Sequence, residues 1–361
     1  MANINRLLFV VSQLSTGGAE RVISILANNF ALRGYEVHLV TFLDVPDAYI
    51  LDSRIIHRRI PQCEGNRAIQ HLMRMKWIRE YIRKNCIDAY ITFEHYYGWT
   101  CAFKNCENYI TSMRNDPTHD KLSFVERILR KVNFENAKAV VFQTTEIKEY
   151  FSSRVQKHAY VIKNPLPNNI PYGDSTREKR IVAVSRLEQQ KNIPMLLKAL
   201  RIVVDIHPEV ILEIYGDGSE KKRIEQLIRE LNLEKNVQLK GFCNNVDERI
   251  ANAYMYVCTS NYEGLSNALL ESMAMGLAIV STDSSGGGAR EVIQDGINGY
   301  LVPVNDEVQL SEKIIKLIEN PEMAIAMGQK AMEIRDELCE VTVCDEWEKI
   351  INQENKQNMF D

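Results

Sequence analysis

An apolar run from Ala253 to Val257 is followed by the turn Tyr262-Glu263-Gly264-Leu265-Ser266-Asn267 and then by a segment of helical spacing that ends at Gly276. A buried strand, a glycine turn and a helix start, in that order, confine the chain to an α/β architecture built on a parallel sheet. The sequence opens the same way: Leu7 to Val11 leads through Gly17 and Gly18 into a helix predicted from Glu20 to Leu32. In sheets wound like this, ligands sit beyond the carboxyl ends of the strands. A helix start in that position leaves amides without intrahelical partners, here those of Leu265, Ser266 and Asn267, and its dipole favours an anion.

A length of 361 residues, too long for one ordinary domain, predicts two of about 150 to 200 residues each. Asn164-Pro165-Leu166-Pro167-Asn168-Asn169, with Pro171-Tyr172-Gly173, reads as the linker. The expected division is 1–170, 171–340, and a terminal helix with a frayed end over 341–361. The halves differ in charge: residues 1–175 carry 23 Lys and Arg against 17 Asp and Glu, and residues 176–361 carry 21 against 31. Different partners are expected for the two, and no nucleic acid. Eight cysteines, none in a C-x-x-C pair, suit a reducing cytoplasm and suggest no zinc set. No apolar run has the length of a membrane span, so an integral membrane protein is not expected.

Candidate site residues follow the predicted strands. Ser185-Arg186-Leu187-Glu188-Gln189-Gln190-Lys191-Asn192 succeeds Ile181 to Val184, and a planar guanidinium with a point-charge ammonium suits a diphosphate. Glu271 lies among Ala268, Leu269, Leu270, Met273 and Ala274, where a carboxylate needs a hydrogen-bonding partner. Solvated helix charges are the plainer reading of Glu263 and Glu271. His95 follows the strand Asp88 to Phe93, and Arg114-Asn115-Asp116-Pro117 follows Asn108 to Met113, with Pro117 enforcing a turn. Gly17 and Gly18 lack the G-x-G-x-x-G spacing, so a nicotinamide cofactor is not expected.

Glu263 and Glu271, in the setting Glu-Gly-Leu-Ser-Asn-Ala-Leu-Leu-Glu-Ser-Met-Ala, and the upstream Ser-Arg-Leu with Lys-Asn, resemble the signatures of the retaining glycosyltransferases of family four. The resemblance implies a GT-B fold: two Rossmann-like, doubly wound domains facing across a cleft, the first for the acceptor and the second for a nucleotide sugar. It implies that Arg186 and Lys191 hold the diphosphate with Gly264, Leu265, Ser266 and Asn267. It places the transferred sugar's hydroxyls on Glu263, the ribose on Glu271, and His95 beside the donor sugar. Gly17 and Gly18 come near the donor phosphates, Gly216 in the turn Tyr215-Gly216-Asp217-Gly218 joins the donor site, and Phe242 is either core or a platform for the base. Arg114-Asn115-Asp116-Pro117 is similar to a turn of members that build bacterial surface polysaccharides, which implies acceptor contact through Arg114 and Asn115. Ser285-Gly286-Gly287-Gly288-Ala289-Arg290-Glu291, predicted as a glycine-rich turn into a helix, departs from the family's Gly-Pro-x-Glu pattern.

The expected activity is hexosyl transfer with retention, from a UDP-sugar rather than a GDP-sugar, to a saccharide or lipid-linked saccharide in surface polysaccharide biosynthesis. No cofactor beyond the nucleotide-sugar cosubstrate is expected. No metal is expected either, because two cations and the helix amides already cover a diphosphate and no Asp-x-Asp pair stands beside a strand end. The alternatives are a GT-B nucleotide-sugar epimerase, with Glu94 or Asp116 in proton transfer, and a catalytically silent nucleotide-binding module. Two basic helices are predicted, Arg67 to Asn85 and Lys121 to Lys138. In the first, Ile69, Leu72, Met75, Ile78 and Ile82 form a stripe with Met73, Trp77 and Tyr81 beside it. That pattern points to peripheral contact with an anionic membrane at the inner face of the cell membrane, although the same stripe would pack on a sheet.

Overall fold

The computed structural model describes residues 4–15, 17–61, 64–93, 108–173 and 177–353. Two compact units make up the chain: Met1–Pro165 with Cys339–Asp361, and Leu166–Leu338.

In the first unit, short runs rich in Val, Ile, Phe and Tyr form strands β1 (Arg6–Val10), β2 (Glu36–Thr41), β3 (Ile56–Arg59), β4 (Ala89–Thr92), β5 (Tyr109–Ser112), β6 (Ala139–Phe142) and β7 (Ala159–Val161). They pair in parallel in the order β3-β2-β1-β4-β5-β6-β7, with Leu8 opposite both His38 and Tyr90. Both faces are covered, which is why β1 and β4 read as continuous apolar runs. On one face Leu8, Val10, Val40, Tyr90, Val140 and Phe142 share a core with Ile78 of the helix Arg67–Lys84 and Phe134 of the helix Phe124–Asn136. Phe9 turns to the other face, its ring 6.2 Å from that of Phe30 in the helix Gly18–Leu32. That helix packs against Glu340–Asn352, whose buried Trp347 stacks on Phe93 at 5.9 Å. Arg33 fixes the pair through Asp345 at 2.7 Å and Glu348 at 2.5 Å.

Local chemistry sets the helix ends. The Glu126 amide donates to Ser123 Oγ and the Ser123 amide to Glu126 Oε2, a reciprocal cap that starts this helix at Phe124, later than the predicted Lys121. Trp77 and Tyr81 do not flank an exposed stripe as predicted. They stack at 4.9 Å and pack on the core, because the Tyr81 hydroxyl is bonded to the buried His38 at 2.7 Å. The outward face of Arg67–Lys84 instead carries Ile69, Leu72 and Met73, then Lys76, Arg79, Arg83 and Lys84.

The second unit contains β8 (Glu178–Val184), β9 (Ile211–Tyr215), β10 (Val237–Gly241), β11 (Ala253–Cys258), β12 (Ala278–Thr282) and β13 (Tyr300–Val302), all parallel in the order β10-β9-β8-β11-β12-β13. Leu196, Leu197, Leu200 and Val203 of the helix Ile193–Ile206 bury against Leu212, Ile214, Met255, Val257 and Val280. Leu310, Ile314 and Leu317 of Glu307–Glu319 close the same core. Each sheet reverses its winding beside its first strand, between β1 and β4 and between β8 and β11. Such a reversal opens a crevice at the carboxyl ends, where ligands bind.

One predicted helix is absent. After Gly286 and Gly287, at φ +86° and +69°, residues 288–292 make only turns. The Asn298 side chain accepts the Gln294 amide at 2.7 Å and donates to Val292 O at 3.0 Å, satisfying groups that a helix would have used.

Candidate active site

The carboxyl ends of β8 and β11 lie side by side at the reversal of the second sheet. From them run two loops, 185–192 and 259–266, bound to each other along their length. The Asn261 amide donates to Gln190 O at 2.8 Å, Gln190 Nε2 to Tyr262 O at 2.8 Å, and Thr259 Oγ1 to Lys191 O at 3.0 Å. This stapling brings Lys191 Nζ onto Glu263 Oε2 as an ion pair, with Ser260 Oγ donating to the same oxygen at 3.2 Å. The two side chains are 13% and 19% exposed, so water screens the pair only in part.

A small cavity beside the pair is lined by Ser185, Lys191, Tyr256, Thr259, Ser260 and Ser266. Ser185 Oγ is buried there with no hydrogen-bond partner among the described residues. Burial pushes the Tyr256 phenol well above its ordinary value. Ser266 caps the helix Asn267–Ala274 by accepting the Leu269 amide at 3.4 Å. Glu271, on that helix, is 4% exposed and Leu265 is also buried, whereas Asn267 is half-buried.

Glycines set the spacing of these loops. Gly216 has φ +134°, and a Cβ there would fall 1.9 Å from Ser185 O, so only glycine lets the turn after β9 support the loop that carries Arg186. Gly288 lies so close to Gly264 that a Cβ would meet its carbonyl oxygen at 1.7 Å. Arg186 is exposed and makes no ion pair among the described residues. Phe242, just past β10, is 59% exposed, which removes the reading as core.

In the first unit Gly17 caps the helix Gly18–Leu32, and its carbonyl accepts from the Tyr49 hydroxyl at 2.9 Å. The Glu20 carboxylate stands beside it, 2.0 Å from where a Gly17 Cβ would lie. Arg114, past the end of β5, turns inward: Nη1 donates to Asn164 Oδ1 at 2.8 Å, and the guanidinium lies 4.3 Å from the Phe93 ring centre and 5.7 Å from that of Trp347. Burial pushes its pKa down to about 9, still high enough to keep it charged at neutral pH. Asn115 is exposed. Asp116 is buried and engaged by the Thr118 amide at 2.9 Å and by His119 Nδ1 at 3.1 Å. His95 and Glu94 lie outside the described residues.

Ser260, Asn261 and Tyr256 were not singled out from the sequence. Their residue types carry no motif, and their only signal is position at or just after the end of an apolar strand.

Comparison with known proteins places the fold and motifs in a family. Residues 16–167 match the family model described as Glycosyltransferase Family 4, and residues 170–334 match that described as Glycosyl transferases group 1. The poly(glycerol-phosphate) alpha-glucosyltransferase of Bacillus subtilis is 29% identical over 190 residues, 53% of this chain, which spans only 28% of that relative's length. A Campylobacter jejuni enzyme, N-acetylgalactosamine-N,N'-diacetylbacillosaminyl-diphospho-undecaprenol 4-alpha-N-acetylgalactosaminyltransferase, is 28% identical over 353 residues, covering 90% of this chain and 93% of its own. The crystal structure of Anabaena HepE in complex with UDP superposes with a TM-score of 0.81 at 19% identity, covering 95% of this chain and 98% of that one. Both halves of the chain match modules of one class of enzyme, and both are Rossmann-like units of the GT-B fold. The chain belongs to the family 4 glycosyltransferases, its second half being a group 1 glycosyl transferase domain.

Proposed function

We propose that the protein transfers a hexosyl group, with retention, from a UDP-sugar to a saccharide or lipid-linked saccharide during surface polysaccharide synthesis. The observation that carries the reading is the meeting of Lys191 and Glu263, 72 residues apart, at the switch point of the second sheet beside a capped helix start. Departure of a nucleoside diphosphate builds negative charge on its distal phosphate. Arg186, Lys191 and the amides that follow Gly264 stabilise it, the largest catalytic contribution expected in such a site. Glu263 takes the sugar hydroxyls and Glu271 the ribose, Gly216 shapes the donor loop, and the exposed Phe242 offers a face to the base. By the family resemblance, His95, Gly17 and Gly18 are assigned to donor binding and Arg114 with Asn115 to acceptor binding. The cations and helix amides do this work without a metal. The choice of UDP is supported by the UDP held in the HepE structure, and that of a lipid-linked saccharide acceptor by the diphospho-undecaprenol-linked acceptor of the Campylobacter relative.

The first unit meets an anionic membrane at the inner face of the cell membrane, where a lipid-linked acceptor is presented. No helix among the described residues is long and apolar enough to cross a membrane. Two helices on one face of the first sheet instead pair exposed apolar groups with cations: Ile69, Leu72 and Met73 beside Lys76 and Arg79, and Phe124, Val125 and Ile128 beside Arg127 and Lys131. Phe124 is 78% exposed, an unusual outlay of apolar surface for a residue facing only water.

Incubation with isotope-labelled UDP-sugars and a panel of saccharide and lipid-linked acceptors tests the reaction. The expected product is a glycoside whose anomeric configuration, read by NMR coupling constants, equals that of the donor. An inverted linkage, an epimerised sugar or no consumption of any nucleotide sugar would overturn the reading.

A further inference from the structure

Lys191 and Glu263, to which the diphosphate and the adjoining sugar of the donor are ascribed above, are bonded to each other in this structure. The pair is largely shielded from water, and Ser260 Oγ holds the carboxylate in place from a second side. Separating shielded partners leaves each with an uncompensated charge unless a ligand supplies the replacement. We propose that Glu263 is a built-in competitor of the nucleoside diphosphate product, surrendering Lys191 only to an intact nucleotide sugar. This rests on the reading of the site as a nucleotide-sugar site and extends it to discrimination and release.

An intact donor satisfies both partners at once. Its diphosphate oxygens accept from Lys191, and its sugar hydroxyls donate to Glu263. A nucleoside diphosphate offers only the first of these. It leaves the Glu263 carboxylate without a donor beyond Ser260, with like charge on the phosphates nearby. Transfer of the sugar turns the first situation into the second. Lys191 then returns to Glu263, and the product loses its ammonium contact and leaves. Discrimination between donor and product therefore resides in a contact that neither of them makes.

Isothermal titration of UDP, GDP and ADP, each alone, into the wild type, Glu263→Gln, Lys191→Gln and the double variant tests this. Glutamine keeps the shape and hydrogen-bonding reach of Glu263 while removing its charge. The nucleotide that binds the wild type best is expected to bind Glu263→Gln about tenfold more tightly, the order of one shielded charge contact. Lys191→Gln binds it more weakly, and Glu263→Gln brings no gain in the Lys191→Gln background, since neighbouring groups that act through each other are not additive. Glu263→Ala, which removes the carboxylate altogether, gives a gain of the same sign and serves if the Gln variant folds poorly. Equal or weaker binding by both Glu263 variants, or the same gain with and without Lys191, overturns the proposal while leaving the nucleotide site intact. Absence of binding by all three nucleotides to every protein overturns the site reading and the proposal together.

Discussion

The Asn192 side chain donates to Asn261 Oδ1 across 2.8 Å, tying the loop after β8 to the loop after β11. The same nitrogen reaches Asn305 Oδ1 at 2.9 Å, while the residue sits at φ +46° and caps the helix Ile193–Ile206. Asparagine tolerates this left-handed backbone better than other residues with a Cβ. Asn192→Gly keeps the backbone but loses cap and clamp, for an expected cost of about 1 kcal/mol, and Asn192→Ala adds about 1 kcal/mol of left-handed strain. Urea unfolding of both variants measures the difference. Equal midpoints would mean that the backbone is not strained there.

Lys191→Ala is expected to lower kcat by about a hundredfold and to change KM less, because its contact strengthens as the phosphate departs. A raised KM with unchanged kcat would make Lys191 a ground-state binder. Glu263→Gln keeps the fold and loses most of the transferase activity, and wild-type turnover by that variant would remove Glu263 from the sugar site.

Activity should not depend on a divalent ion if, as proposed, two cations and the helix start after Ser266 cover the diphosphate. Initial rates with and without EDTA are expected to agree. A loss restored by Mg²⁺ or Mn²⁺ would contradict this.

Glu213 supplies a pH signature for the second unit. Burial alone would raise its carboxyl, but the Tyr215 hydroxyl at 2.8 Å, Lys240 at 3.2 Å and Arg180 at 2.7 Å outweigh burial and hold it below the ordinary value. A depressed folded-state pKa stabilises fully above the unfolded value of about 4.3 and is lost as pH falls through the folded one. Glu213→Gln should therefore cost about 2 kcal/mol at pH 7, with the gap closing at pH 4 and below. Denaturant midpoints of the two proteins across pH 3 to 7 provide the check, and a gap independent of pH would refute it.

Binding to anionic vesicles should be measurable by flotation at low salt, weaken with added salt, and fall at least about thirtyfold with Arg79→Glu and Arg83→Glu together, each lost cation removing about 1 kcal/mol. Both are exposed on the helix Arg67–Lys84, so the fold should survive the change. No flotation at low salt would remove the membrane from the account.

Most strands were legible because residues buried on both sheet faces leave unbroken apolar runs, as in Leu7 to Val11 and Ala253 to Val257. The site was legible one side at a time. Lys191 and Glu263 each stood out through motif and position, but their bond depends on β8 and β11 being neighbours, which no spacing encodes. Arg114 was legible as a turn residue, not as a guanidinium between Phe93 and Trp347, since the latter comes more than 200 residues later. The misread turn after Gly286 has a local cause: helix-compatible residues followed it, and the competing bonds came from the Asn298 side chain. Trp77 and Tyr81 were misplaced because helical periodicity gives faces without saying which one meets the sheet.

The return of Glu340–Asn352 to the first unit imposes an order on biosynthesis. Leu166–Leu338 is an uninterrupted segment and can complete itself as it emerges from the ribosome, whereas the first unit must wait for Trp347. At about 5 to 20 residues per second that wait is on the order of ten seconds or more. During it the helix Gly18–Leu32 and Phe93 lack the apolar partner that later covers them. The unit made first is thus the last to mature.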